Sequence, residues 1–183
     1  MMNIASSPSS DNSAQSVGHE KYLEFRLSDS YFAYPIARIR EIMEYPDVEP
    51  IAGAPDHVKG AMNLRGQIIP VFDLALCIDK PYQPETPRTC VVITEARVNG
   101  KQYLLGNKVD MVSQVLDLED SQLEPIPELP YSIESPLLKG IAKLNGRLLT
   151  ILDIDKLLTQ EYVQWVNTAS VMTGKMDVRS GDE

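Results

Sequence analysis

Residues 59–74, KGAMNLRGQIIPVFDL, decide the fold of this chain. They predict a short strand, a tight turn at Arg65-Gly66 and a second, strongly apolar strand. The same pattern returns about 80 residues later as residues 139–154, KGIAKLNGRLLTILDI, with Lys, Gly, Leu, Gly and Asp in register. Residues 49–51 (Glu-Pro-Ile) are likewise echoed by residues 124–126. Self-similarity at a fixed offset indicates repeated structural units, so the chain is predicted to be a duplication.

The composition is that of a globular protein without a nucleic-acid partner. The chain has 183 residues, of which 43% are hydrophobic and 23% charged, which is enough for one domain or two small halves with a real core. Its net charge of -9 argues against nucleic acid, because phosphate binding depends on clustered Lys and Arg. Cys77 and Cys90 lack the spacing of a disulfide framework or a zinc site and are expected to be small buried residues in a reducing compartment. No long apolar run or signal peptide is found, which predicts a cytoplasmic protein.

Local patterns along the chain predict mainly strands and turns. Residues 1–19 are rich in Ser, Asn, Pro and Gln and predict a disordered tail. Apolar and polar residues alternate over residues 22–27, which predicts a strand with one buried face. Residues 55–60 begin with Pro and end with Gly, which predicts a single helical turn. Asn99-Gly100 is a strong signal for a two-residue hairpin turn.

Many short strands separated by Gly, Pro and Asn turns, given twice, predict a mainly β fold of two small barrels. The loop 79–88 contains prolines at positions 81, 84 and 87 and is the predicted boundary between them. Neither half would be robust alone, so a shared interface is expected. The predicted divisions are a first barrel at about 20–80, a second at about 88–153, a C-terminal helix at 153–172 and a flexible tail at 173–183.

No pattern of residues predicts catalysis, a metal site or a cofactor. The histidines, His19 in the predicted tail and His57 in a turn, are expected to be solvated polar residues and not catalytic groups. The acidic run at 117–124 lacks the glycine and the ligand spacing of a calcium loop. Thr173-Gly174-Lys175 lacks the upstream glycine of a phosphate-binding loop. The residues alone therefore favour a binding module over an enzyme.

The signature in the repeated stretch resembles that of the CheW-like coupling proteins of bacterial chemosensory systems. It consists of Asn63-Leu64-Arg65-Gly66 followed by Ile69-Pro70-Val71 and Asp73-Leu74, and the resemblance extends over about residues 20–160. It implies a duplicated pair of five-stranded SH3-like barrels with short helical turns. It also implies a non-enzymatic adaptor without a cofactor. Such an adaptor joins the regulatory domain of a CheA-like histidine kinase to the cytoplasmic tips of chemoreceptors, and is recruited to receptor arrays without entering the membrane.

The resemblance implies two sets of contact residues. The receptor-binding set lies in the groove between the barrels, and Arg65 is expected to pair with Glu41. The kinase-binding set lies on barrel ends and strand edges. The receptor-binding residues are Ile39, Glu41, Arg65, Cys90 and Gly106; the kinase-binding residues are Val48, Ile51, Ile141, Asn145 and Arg147.

One departure from the family pattern leaves alternatives open. Asn107-Lys108 stands where the family continues Gly106 with apolar residues, which suggests a different receptor set or a scaffold of a non-flagellar pathway such as surface motility. The other interpretation is a generic small-barrel protein-binding module. An enzyme would need a pocket with perturbed acids or histidines, and a nucleic-acid-binding barrel would need a basic stripe with aromatic residues.

Overall fold

The fold consists of eleven strands with short helical connections, and the structure, a computed structural model, describes residues 18–126 and 137–157. The strands are β1 (His19–Leu27), β2 (Ser30–Pro35), β3 (Ile39–Glu44), β4 (Val58–Leu64), β5 (Gln67–Asp73), β6 (Cys90–Val98), β7 (Lys101–Val109), β8 (Met111–Glu119), β9 (Leu123–Glu124), β10 (Leu138–Leu144) and β11 (Arg147–Leu152). The helical segments are α1 (Leu74–Cys77) and 3-10 turns at Ile36–Arg38, Asp120–Gln122 and Ile154–Leu157.

The strands form two sheets, which we name barrel A and barrel B. Barrel A has the order β8-β1-β2-β11-β10-β9, and barrel B has the order β3-β6-β7-β5-β4. The β2–β11 and β5–β7 pairs are parallel, and the other pairs are antiparallel. In barrel A the chain runs from edge strand β8 through one 3-10 turn into edge strand β9. In barrel B the chain leaving β3 bridges β4 through Glu49 and Ala61, so both sheets close on themselves.

The predicted duplication is visible in the strand registers. In the first copy Gly60 pairs with Val71, and in the second copy Gly140 pairs with Ile151, at the same offset of 80 residues. Barrel A, however, takes the β1–β2 hairpin from the first half of the chain, and barrel B takes the β6–β7 hairpin from the second half. The division into barrels at 20–80 and 88–153 is therefore wrong. The two halves exchange their first hairpins because β5 pairs with β7, and β11 pairs with β2.

The core has three parts. One cluster fills each barrel, and the largest cluster, which includes Phe25, Phe72 and Leu105, combines residues of both sheets. This confirms the predicted shared interface. It also shows that the prediction of a half-buried β1 is wrong, because Leu23 and Phe25 pack between the barrels while Tyr22 packs inside barrel A. Both faces of β1 are buried.

The ends of the described chain differ from the sequence predictions. β1 begins at His19, inside the predicted tail 1–19, and residues 1–17 lie outside the described residues. The chain after β11 forms a 3-10 turn, in which Asp155 accepts hydrogen bonds from Arg38 and from the backbone N–H of Arg97. The rest of the predicted helix 153–172 and the tail 173–183 lie outside the described residues. In residues 18–126 and 137–157 no helix has the length and apolar character needed to cross a membrane.

The repeated glycine has a packing role that differs from the predicted one. Gly60 lies within β4 and does not end a helical turn, because the strand already begins at Val58. Its φ of +147° is unusual for a side-chain-bearing residue, and a Cβ there would come within 2.6 Å of the Glu49 carbonyl carbon. Gly140 faces Glu124 in the same way, with 3.0 Å from its hypothetical Cβ to the carbonyl oxygen. The repeated Glu-Pro-Ile sequence therefore identifies, in each copy, the segment whose backbone lies against the repeated glycine.

Candidate functional site

The residues predicted to bind receptors all belong to barrel B. Ile39 and Glu41 lie on β3, Arg65 lies in the β4–β5 turn, Cys90 begins β6, and Gly106 lies on β7. Glu41 and Gly106 both pair with Ile93, so they occupy the same row across the sheet. The fold therefore gathers on one barrel residues that are far apart in sequence.

The predicted Arg65–Glu41 pair is present. The Arg65 Nη2 atom lies 3.2 Å from Glu41 Oε1, and the Arg65 side chain is 77% exposed. Arg65 has a φ of 51° and Gly66 a φ of 86°, which is the geometry of a type I′ hairpin turn. The Asn63 Oδ1 atom accepts the Gly66 N–H at 2.8 Å and stabilises this turn. The arginine is thus presented on a tight turn that its neighbour supports.

The other members of the receptor set are less accessible. Gly106 is buried, and a Cβ added there would lie 3.1 Å from Val91 Cγ1 and 3.2 Å from Val71 Cγ2, so it offers no surface for a direct contact. Ile39 is partly buried against the core between the barrels. Cys90 is also partly buried, and burial raises the pKa of its thiol. Glu41 and Arg65 are therefore the members best placed to contact a partner.

The residues predicted to bind the kinase are divided between the barrels. Val48 and Ile51 flank Glu49, which bridges β4 of barrel B. Ile141 lies on β10 of barrel A, Asn145 occupies the β10–β11 turn with a φ of 49°, and Arg147 begins β11. The structure therefore does not bring the predicted kinase set together on one sheet.

Arg147 takes part in an ionic cluster inside barrel A. Its Nη2 atom lies 2.7 Å from Oε2 of Glu24, whose side chain is 1% exposed, and its guanidinium lies 4.0 Å from the centroid of the Tyr31 ring. Gln114 donates a further hydrogen bond to Glu24 Oε1 at 3.4 Å. The sequence reasoning missed Glu24, because alternation assigned its side of β1 to solvent. The cluster gives Arg147 a structural role within the chain.

The structure corrects the interpretation of Asn107-Lys108. The Asn107 side chain is buried and donates to Thr94 Oγ1 at 2.8 Å and to the Val92 carbonyl at 3.2 Å. The Lys108 side chain is 2% exposed. Neither residue presents a polar group to a partner, so they do not argue for a different receptor set. The sequence signal was two polar residues between the apolar Leu104-Leu105 and Val109, and it indicated polar contacts inside the protein.

Within residues 18–126 and 137–157, the titratable groups show no reactive arrangement. Burial raises the pKa of the Cys77 thiol to about 12, so the thiol stays protonated at neutral pH. Burial lowers the pKa of His57, and half-exposed His19 lies 3.6 Å from Asp117 and 3.8 Å from Glu119. Across the described part of the chain, no group of three or more His, Cys, Asp or Glu residues is arranged to hold a metal ion. The arrangement fits surface recognition through the exposed pair on barrel B.

Comparisons with known proteins agree with this architecture. The family model described as CheW-like domain matches residues 21–162. The chain is 34% identical to the chemotaxis protein CheW of Klebsiella aerogenes over 156 residues, which cover 85% of this chain and 91% of the relative. It is 26% identical to CheW of Rhizobium meliloti over 144 residues, covering 79% and 90% of the two chains. It is also similar to the crystal structure of the scaffolding protein TtCheW from Thermoanaerobacter tengcongensis, with a TM-score of 0.69, 26% identity and coverage of 76% of this chain and 92% of that one. The family match over residues 21–162 and the 34% identity to a relative covered over 91% of its length lead to one conclusion: the chain belongs to the CheW-like family.

Proposed function

We propose that this protein is a non-enzymatic adaptor that joins chemoreceptors to a CheA-like histidine kinase in a bacterial chemosensory array. The observation that carries the proposal is the family match over residues 21–162, together with the exposed Arg65–Glu41 pair on barrel B. The adaptor acts in the cytoplasm, where the cytoplasmic tips of the receptors recruit it. A pull-down with the protein as bait tests this directly, since a histidine kinase and receptors should be recovered together. Recovery of neither class would overturn the proposal.

The receptor surface is centred on Arg65 and Glu41, while Ile39 lies two residues before Glu41 and Cys90 pairs with Glu44 at the other end of β3. The ion pair orients the guanidinium, and its bond to Glu41 uses only one of the five N–H donors of an arginine. The exposed donors suit a carboxylate or a backbone carbonyl of a receptor's cytoplasmic tip. Gly106 contributes only by allowing close packing of β7 against its neighbours.

The kinase surface is best assigned to barrel A, because an adaptor must hold both partners at once. Ile141 and Asn145 lie on barrel A and leave barrel B free for the receptor. Among the described residues, β10 is flanked on one side by β9, which pairs with only two of its residues, so the remaining β10 backbone on that side has no strand partner within 18–126 and 137–157 and offers a docking edge. Val48 and Ile51 of barrel B are the alternative members of this surface.

Arg65→Ala is expected to weaken receptor binding by about 1–3 kcal/mol and to leave the free energy of unfolding nearly unchanged. The reason is that the side chain is mostly exposed, so its truncation removes a partner contact without opening the core. Titration of a labelled receptor cytoplasmic fragment, together with urea unfolding, measures both quantities.

Arg40→Ala is the matched control, since Arg40 is an exposed arginine on β3 that pairs with Glu95. It should leave receptor affinity unchanged. The regulatory domain of the kinase should bind Arg65→Ala and Glu41→Gln as tightly as the unaltered protein. Equal loss of kinase and receptor affinity would contradict two separate surfaces, and an equal loss of folding stability would assign Arg65 a structural role.

Exchanging the two turn residues should separate recognition from stability. Arg65 and Asn145 have φ values of 51° and 49°, a region that Asn tolerates much better than Arg. Arg65→Asn is therefore expected to keep or raise stability by a few tenths of a kcal/mol while losing receptor binding. Asn145→Arg should cost about 1 kcal/mol and keep receptor binding. Thermal melts and receptor titrations on both variants provide the comparison.

The second turn lacks the support that the first one has. Lys143 occupies the position of Asn63 and has no acceptor for the Gly146 N–H, so an arginine in this turn would be less well tolerated. If both exchanges change both properties alike, the two turns are not functionally distinct.

A further inference from the structure

The segment 79–88, predicted to be a simple boundary loop, contacts both barrels. It connects α1 with β6, and we name it the strap. Its first part is attached to α1, because the Lys80 N–H donates to the Ala75 carbonyl at 2.9 Å. Its last part forms a turn in which the Thr86 N–H donates to Thr89 Oγ1 at 2.8 Å. The middle of the strap lies between these two anchored ends.

On barrel B the strap supplies acceptors for a buried ammonium group. Lys108 Nζ donates to the Gln83 carbonyl at 2.7 Å, and lies 3.3 Å from Glu85 Oε1 and 3.5 Å from Asp73 Oδ2. The Tyr82 ring centroid lies 4.4 Å from the same nitrogen. Burial opposes ionisation of Glu85, but hydrogen bonds from its own N–H, Tyr82 and Lys108 outweigh this and lower the pKa of its carboxyl.

On barrel A the strap binds the turn of the β1–β2 hairpin. Gln83 Nε2 donates to Ser28 Oγ at 3.2 Å, and Lys80 Nζ donates to Ser30 Oγ at 3.0 Å. Gln83 therefore touches both barrels, with its side chain on one and its backbone carbonyl on the other. The two hairpins it joins, β1–β2 and β6–β7, are the ones that the two halves of the chain exchange.

We propose that the strap is a latch that holds the two exchanged hairpins together and restrains the motion of one barrel relative to the other. An ammonium group has three N–H donors, and the three oxygen acceptors around Lys108 match them. Two of these acceptors, the Gln83 carbonyl and Glu85, belong to the strap. If the strap were released, Asp73 would be the one remaining acceptor of these three for the Lys108 ammonium group. A buried charge that loses its partners is strongly destabilising, so burial of Lys108 and docking of the strap are coupled.

The latch matters for the adaptor because two partners bound to different barrels are held at one relative geometry only if the barrels do not move. This consequence rests on the proposed function. Releasing the strap should leave the affinity for each partner alone unchanged, and should reduce the affinity for the second partner in the presence of the first. The latch itself can be tested without any partner.

The first test is hydrogen exchange of the full chain, comparing Lys80→Ala/Gln83→Ala with Lys101→Ala/Gln102→Ala. The control changes the same two residue types at exposed positions at the start of β7, which lie outside the strap. The strap variant is expected to exchange at least about 5-fold faster in peptides covering 79–90, and also at Tyr45, whose N–H donates to the Thr89 carbonyl at 3.2 Å. Equal exchange in the two double variants would overturn the latch.

The second test uses Glu85→Gln, which weakens the barrel B side without truncating a core side chain. We expect faster exchange of the strap and also of the β1–β2 turn, because the latch joins both. Faster exchange confined to the strap would overturn the coupling between barrels. With a receptor fragment and the kinase regulatory domain, the strap variants should keep each separate affinity within about 2-fold and lose at least about 5-fold in the three-component complex. If the unaltered protein binds neither partner, the proposed function fails while the exchange result still decides the latch.

Discussion

Gly60→Ala is expected to lower the free energy of unfolding by about 3–5 kcal/mol, the largest effect of any single substitution considered. Two costs combine at this position. The φ of +147° is strained for a residue with a side chain, and the added Cβ would overlap the Glu49 carbonyl group, whose carbon lies 2.6 Å away. The atoms that the added Cβ would overlap belong to the backbone of Glu49 and Pro50. The overlap can therefore be relieved only if the segment that closes barrel B moves. Urea unfolding followed by circular dichroism measures the change.

Two other glycines separate these costs. Gly53 has a φ of +79° and nothing within 4 Å of a hypothetical Cβ, so Gly53→Ala should show the backbone cost alone, about 1 kcal/mol. Gly140→Ala adds a Cβ at 3.0 Å from the Glu124 carbonyl oxygen without a positive φ, and should cost about 1–2 kcal/mol. If Gly60→Ala is no worse than either control, then the close crossing at Glu49 is not what requires glycine there.

Arg147→Ala is expected to destabilise the protein by about 3 kcal/mol. The substitution removes the cation that pairs with Glu24, whose side chain is 1% exposed, and so leaves an unpaired carboxylate buried in barrel A. The lost packing of the guanidinium on the Tyr31 ring adds to this cost. Arg40→Ala is the matched control, since the Arg40 side chain is 60% exposed in its pair with Glu95 and should cost less than about 1 kcal/mol. Thermal and urea unfolding of both variants make the comparison.

A double substitution distinguishes a buried-charge effect from simple loss of contacts. Glu24→Gln/Arg147→Met removes both charges and should be more stable than Arg147→Ala alone. Arg147 was predicted to contact the kinase. If Arg147→Ala unfolds like the unaltered protein but loses affinity for the kinase regulatory domain, that prediction is supported and the structural role is wrong.

Local sequence patterns predicted the turns and the repeat correctly. Arg65-Gly66, Asn99-Gly100 and Asn145-Gly146 all have the consecutive positive φ values that their dipeptides indicated. Such turns depend on the conformational preferences of two adjacent residues, which any sequence displays directly. The Arg65–Glu41 pair was also predicted, as a hypothesis about two residues that the family resemblance had singled out, because nothing local relates residues 24 positions apart.

Alternation failed at Glu24, where β1 is buried on both sides, and the comparison with the family pattern failed at Lys108. Glu24 and Lys108 carry charges in strands, and such residues are normally assigned to the solvent face. Here each one is neutralised by partners distant in sequence: Arg147 for the first, Asp73 and Glu85 for the second. The charges are therefore inside because of contacts that the neighbouring residues do not encode.

The sequence by itself determined the duplication, the hairpin turns, the mainly β class and, through the signature around Arg65, the family. These properties depend on residues within a few positions of each other or on a repeat that can be read at an offset of 80. Only the tertiary structure decided that the halves exchange their first hairpins, that Gly106 is buried, and that the strap joins the barrels through Gln83. Any strand edge can pair with several others, and the choice among them follows from the burial of a core shared by the whole chain, which no local segment specifies.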